Sequence, residues 1–197
     1  MDNKQRIAKT LSRAGIASRR EAERLVVTGS VSLNGSVIKD PGTKVTTSDK
    51  IMVHGKPVLE PDKSRLWRYH KPIGLVTTDS DEKGRETIYD KLPSNLPRLM
   101  SIGRLDITSE GLLLLTNNGS LKRHLEMPST GFLRKYRVRA HGIHHEPLLE
   151  KLRAGILIDG EKFRPMEISL DRIRGSNIWY NVILKENGKK TKEDTKE

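Results

Sequence analysis

The stretch Gly103-Arg104-Leu105-Asp106-Ile107-Thr108-Ser109-Glu110-Gly111-Leu112-Leu113-Leu114-Leu115-Thr116 sets a short charged loop directly before a continuous apolar run. Four leucines bounded by Gly on one side and Thr-Asn-Asn on the other read as a buried core strand over Leu112 to Leu115. The loop before it then becomes a strand-end connection, a place where rigid elements hold binding and catalytic groups. Asp106 stands in that loop, with Arg104 near enough in sequence to influence its charge. By residue type alone, an Asp in a polar loop is most often a turn former or a cap.

Working outward, Leu66-Trp67-Arg68-Tyr69-His70 reads as a strand, Lys71 to Thr78 as a further segment, Glu86 to Leu92 as a possible helix and Arg98 to Asp106 as strand-like. Downstream, Ser120 to Met127 reads as a helix and Arg134 to Gly142 as a strand. A helix over His145 to Gly155 follows, then a hairpin turning at Asp159-Gly160 and two strands, Met166 to Ile173 and Asn177 to Leu184. Mixed elements of this kind predict an α+β fold in which antiparallel sheet dominates. Glu60-Pro61-Asp62-Lys63-Ser64 is a polar stretch with a Pro, so we place a domain boundary there: 1–61, then 62–184, then a charged tail over 185–197 expected to be disordered.

The 197 residues carry 37 Lys and Arg against 25 Asp and Glu, a formal net charge of +12. By segment the net is +5 over 1–61, +6 over 62–184 and +1 over the tail, and residues 4–29 alone account for the first +5. Within 4–29, Ile7, Leu11 and Ala14 repeat at helical spacing while Arg6, Lys9 and Arg13 follow a neighbouring stripe. Ser18 and Glu21 have capping-box spacing and open a second helix bearing Arg19, Arg20 and Arg24, which Gly29 ends. Asn34-Gly35 between apolar pairs is a type I′ hairpin signal, and Lys50 to Val58 reads as one more short strand. An excess of this size draws polyanions over long range, making nucleic acid the leading partner class.

Two short helices with a basic stripe followed by a small hairpin sheet resemble the S4 RNA-binding domain, and the match runs from Arg6 to Gly35. The opening stretch continued through Asn117-Asn118-Gly119, Gly103 to Gly119 in all, is similar to the signature of bacterial S4-containing rRNA pseudouridine synthases. Lys71-Pro72-Ile73-Gly74-Leu75-Val76-Thr77 looks like that family's first motif, and Lys135-Tyr136-Arg137-Val138 like the strand that carries its active-site Tyr. The resemblance covers roughly residues 5 to 184 and departs from the family in detail, with Ser109 where Thr is common and Asn118 where Asp is frequent. It implies a small S4 domain followed by a synthase domain and an isomerase that needs no cofactor or metal. Asp106 would be the catalytic carboxylate, Tyr136 would stack on the uracil, and Arg104 would support a flipped-out uridine. Arg6, Lys9, Arg13, Arg19, Arg20, Arg24, Lys71 and Lys135 are the candidate RNA contacts, although Lys71 also suits a role in shaping the site. The resemblance leans toward large-subunit rRNA as partner.

Other chemistries have less behind them. Asp106 and Glu110 as a glycosidase pair rest only on two acids four residues apart in a charged chain, and His141, His144 and His145 lack a convincing fourth metal ligand. With no Cys, disulfides, thiolate zinc sites and a Cys nucleophile are excluded. No long apolar run argues for a membrane span and no apolar segment follows the start, so the expected location is the cytoplasm and the expected state a monomer. After Lys190, where relatives continue with a basic motif, this chain runs into Thr191-Lys192-Glu193-Asp194-Thr195-Lys196-Glu197. The resemblance therefore implies a missing basic partner for the carboxylate, and an alternative reading follows: a catalytically impaired RNA-binding protein of the same fold.

Overall fold

The computed structural model describes residues 4–158 and 160–185. The described chain forms two compact units that divide between His124 and Leu125. The first opens with β1 (Gln5–Arg6), α1 (Ile7–Arg13) and α2 (Arg19–Val27), then β2 (Val31–Leu33), β3 (Ser36–Ile38), β4 (Lys44–Val45), β5 (Ile51–Val53) and β6 (Lys56–Pro57). Its strands pair as β1-β4 and as a four-stranded antiparallel sheet in the order β3-β2-β5-β6. Ile7, Leu11, Val26, Val31 and Val45 are wholly buried between helices and sheet. Each contributes roughly 1.5–3 kcal/mol relative to exposure.

Local chemistry explains the boundaries. The Ser18 hydroxyl accepts from the Glu21 amide at 3.2 Å, as the capping-box spacing predicts. Asn34 and Gly35 both adopt positive φ, 51° and 88°, which is the type I′ turn expected there. Lys50 to Val58 is not one strand. His54 and Gly55 also take positive φ, 48° and 74°, and fold this stretch into the β5–β6 hairpin. A His in the left-handed region is tolerated but is a weak turn signal, so the sequence concealed it.

The same unit continues with β7 (Leu66–Lys71), β8 (Met100–Ile102), β9 (Gly111–Thr116) and α3 (Gly119–Glu126). The sheet order is β7-β9-β8, antiparallel throughout, with Leu75, Ile88, Leu99, Leu113 and Leu115 as its core. The leucine run is only half buried: Leu113 and Leu115 face the core while Leu112 is 67% exposed, because side chains in a strand alternate between faces. Glu86 to Leu92 forms just one 3₁₀ turn, Tyr89–Lys91. The Asp90 carboxylate accepts from both the Thr87 amide and hydroxyl, and Pro93 prevents elongation.

The stretch 62–65 is fixed rather than free. Asn117, buried at the end of β9, donates to the Lys63 carbonyl and accepts from the Arg65 amide, and Thr116 donates to the Arg65 carbonyl.

The second unit contains β10 (Leu133–His141), α4 (Glu146–Ala154), β11 (Ile156–Ile158), β12 (Glu161–Phe163), β13 (Glu167–Arg174) and β14 (Asn177–Lys185). Its main sheet has the order β10-β14-β13, and β11 pairs with β12 as the expected hairpin. Asp159, half of that hairpin's turn dipeptide, lies outside the described residues, as does the tail from Glu186. α4 packs Leu149 and Leu152 onto Ile178, Tyr180 and Val182. His144 bridges the Tyr180 hydroxyl and Glu146 at 3.2 Å each, and His145 is the residue that precedes α4, so both sit at a helix start.

Candidate active site

Three residues of one short stretch, Lys71, Gly74 and Thr77, fix the loop that carries Asp106. β7 ends in Lys71, whose side chain alternates inward and is wholly buried. Its ammonium donates to the carbonyls of Pro72, Asp106 and Ser109 at 3.0, 3.0 and 2.9 Å. Three N–H donors meet three carbonyl acceptors, so the group is fully satisfied. Burial lowers the Lys71 pKa from the ordinary lysine value, and the negative charge of Asp106 works against that shift.

The Lys71-to-Thr77 motif supplies the other two ties. The Gly74 amide donates to the Ile107 carbonyl at 2.7 Å. Thr77 donates its hydroxyl to the Leu105 carbonyl at 2.9 Å, and the Leu105 amide points back at the same hydroxyl at 3.4 Å. Leu105 packs on the β7-β9-β8 core, while Arg104 and Asp106 on either side of it are exposed. A turn closed by the Ser109 amide on the Asp106 carbonyl, at 3.0 Å, completes the loop. Backbone on both sides of Asp106 is thus pinned while its carboxylate remains accessible, the preorganisation that a reacting group needs.

Lys71 as an RNA contact is corrected by this geometry, because a side chain with no exposed surface and no spare donor cannot meet a phosphate. Arg13 has a structural role as well. It is half-buried, and its guanidinium donates to the carbonyls of Asn117 and Asp62 and to the Ser64 hydroxyl, at 3.3, 2.7 and 3.1 Å. It therefore ties α1 to the 62–64 stretch and to the end of β9. Arg6, Lys9, Arg19, Arg20 and Arg24 are exposed on or beside α1 and α2. Arg24 also meets Glu21 at 3.1 Å, a surface pair that contributes little.

In the second unit, Tyr136 sits on β10 opposite Val182 and is half-buried on the face that packs against α4. Lys135, its neighbour, points to the opposite face and is exposed, so these two residues cannot line one side of the sheet together. Gly74, Thr77 and Asn117 were not singled out from sequence. Their contributions run through a backbone amide, a hydroxyl and a carboxamide reaching residues 28 to 54 positions away, which leave no local pattern.

Two basic helices with a small sheet, followed by antiparallel sheets and an exposed, backbone-pinned carboxylate, agree with the class of an RNA-modifying enzyme that carries its own RNA-binding domain. The family model for the S4 domain matches residues 5–51 and that for RNA pseudouridylate synthase residues 65–194. The chain belongs to the RNA pseudouridylate synthase family, a family of isomerases. It is 48% identical over 180 residues to an RNA pseudouridine synthase of Rickettsia bellii, covering 91% of this chain and 78% of that one. It is 37% identical to ribosomal large subunit pseudouridine synthase B of Bacillus subtilis, covering 88% and 72%. A crystal structure of a pseudouridylate synthase has the same fold, with a TM-score of 0.54 at 24% identity over 93% of this chain and 78% of that one.

Proposed function

We propose that this protein isomerises a uridine of large-subunit rRNA to pseudouridine, with Asp106 as the catalytic carboxylate. The reaction breaks the N1–C1′ glycosidic bond, rotates the uracil and forms C5–C1′; the proton leaves C5 and one is taken up at N1, so the product is an isomer with no net oxidation or reduction. An ionised carboxylate serves either by attack at C1′ or by taking a ribose proton. Arg104, two residues away and also exposed, holds the backbone or fills the place of the flipped uridine. Tyr136 stacks on the uracil and assists at C5. Arg6, Lys9, Arg19, Arg20 and Arg24 grip the rRNA, Lys135 adds a contact from the second unit, and Lys71 and Arg13 serve as structural ties.

The observation that carries this reading is the loop itself: a buried lysine, a threonine and a glycine amide are all spent on fixing the backbone around one exposed carboxylate. The functional division follows the chain at 61/62, with RNA capture before it and chemistry after it. We take the protein to act in the cytoplasm as a monomer; no helix among the described residues is long and apolar enough to cross a membrane.

Tritium release from 5-tritiated uridine tests the proposal. Steady release from deproteinised large-subunit rRNA, with none from small-subunit rRNA, is the expected result. Retained rRNA binding with no release from either would overturn it in favour of the RNA-binding scaffold.

A further inference from the structure

The sheet of the second unit has two unlike faces. Tyr136, Ala140, Ile178, Tyr180 and Val182 pack toward α4. By alternation and register, Lys135, Arg137 and Arg139 on β10, Trp179 on β14, and Arg172 and Arg174 on β13 share the other face. All five cations there are exposed and Trp179 is half-buried. A solvated antiparallel face is ordinary, but such faces usually mix charge signs, because like charges on neighbouring strands repel. Here five cations stand with two carboxylates, Asp171 and Glu167, and only Asp171 is engaged by the set, through Arg137.

The geometry is that of a track. Cations at alternate positions of β10 recur every ~6.8 Å, so Lys135, Arg137 and Arg139 form a row about 14 Å long. Arg172 and Arg174 form a second row two strand spacings away, about 10 Å, with Trp179 on the floor between them. The Arg172 guanidinium lies 4.9 Å and that of Arg137 6.0 Å from the Trp179 ring centroid. Stacking on an indole holds a guanidinium flat and leaves its N–H edge free to donate. The bulge between Leu170 and Arg172 supplies Asp171 as an extra residue, and its carboxylate fixes Arg137 across β14. Lys135, Arg139 and Arg174 have no carboxylate partner among the described residues. Cationic rows on either side of an aromatic floor suit one polynucleotide strand, followed through its phosphates rather than read by its bases.

We propose that this outer face of β10-β14-β13 is a second RNA-backbone contact surface, separate from the α1–α2 surface, that holds a single-stranded flank of the substrate RNA. It rests on the reading of the protein as an RNA enzyme. Its test therefore uses a probe that cannot be a substrate, a short fluorescein-labelled oligoadenylate, with affinity measured by anisotropy as salt is varied.

Arg139→Gln with Arg174→Gln removes two solvent-facing charges without disturbing the stacked or paired members of the set. Each lost phosphate contact lowers the slope of log affinity against log salt by about 0.7 for a single strand, so the double variant should be shallower by about 1.4. Arg139→Lys with Arg174→Lys should keep the wild-type slope. In addition, RNA-dependent quenching of tryptophan fluorescence should disappear in Trp179→Phe and persist in Trp67→Phe. An unchanged slope in the glutamine pair overturns the inference. Tritium release from rRNA by the wild type, measured separately, decides the synthase reading whatever the slope shows.

Discussion

Replacing Lys71 with Met keeps the length and apolar stem of the side chain and deletes only its ammonium. Three carbonyls then lose a donor, but that of Asp106 still accepts from the Ser109 amide, so those of Pro72 and Ser109 are orphaned. Pro72 is exposed, so water can replace the lost donor at its carbonyl, and the cost falls mainly on the half-buried Ser109 carbonyl, about 1–3 kcal/mol for one unsatisfied buried acceptor. Removing a buried charge returns part of its desolvation cost, so the net loss should lie near the low end, about 1 kcal/mol. For a chain of this length that is a fall in Tm of roughly 2–4 °C. Thermal unfolding followed by circular dichroism reads this directly, and rRNA binding as a function of salt should show the wild-type slope. A Tm equal to wild type together with a slope shallower by about 0.7 to 0.9 would refute the reasoning and return Lys71 to the phosphate-binding set.

Arg13→Ala should behave in kind: it severs the hydrogen bonds from α1 to Asp62, Ser64 and Asn117, so urea unfolding should show a loss of about 1–3 kcal/mol. Asp49 gives a pH dependence. Hydrogen bonds from the Thr46 amide, the Asn34 carboxamide and the Thr46 hydroxyl hold its carboxyl below the usual value of 3.8. Since the folded pKa is the lower one, this stabilisation is present in full well above pH 3.8 and is lost as pH falls below it toward the folded value. Asp49→Asn should therefore melt earlier than wild type at neutral pH and converge with it in strong acid, and a difference in Tm that is constant with pH would contradict this.

Much of the fold was legible because local chemistry and tertiary packing agree. The Ser18 cap, the Asn34-Gly35 turn and the alternating strands β10, β13 and β14 all follow from patterns a few residues long. Where the reading failed, a single competing term prevailed. His54-Gly55 hid a hairpin because His is a poor predictor of positive φ, and Leu112 misled because an unbroken apolar run masks the two-residue period of its strand. At the site, the resemblance pointed to Asp106 and Arg104, both of which the structure leaves exposed on one loop, while the supports from Gly74 and Thr77 were hidden because they join segments distant in sequence. Lys71 and Arg13 illustrate the limit of charge patterns, since a cation looks the same in sequence whether it meets a phosphate or a ring of carbonyls.

The Asp106 side chain projects from a loop whose anchors are backbone contacts, so Asp106→Asn should leave folding and rRNA affinity at wild-type levels. The most direct measurement is tritium release from 5-tritiated uridine in large-subunit rRNA by that variant beside the wild type. Steady release by the wild type and none by Asp106→Asn, despite equal RNA binding, is the expected result. Release by Asp106→Asn at the wild-type rate would contradict it.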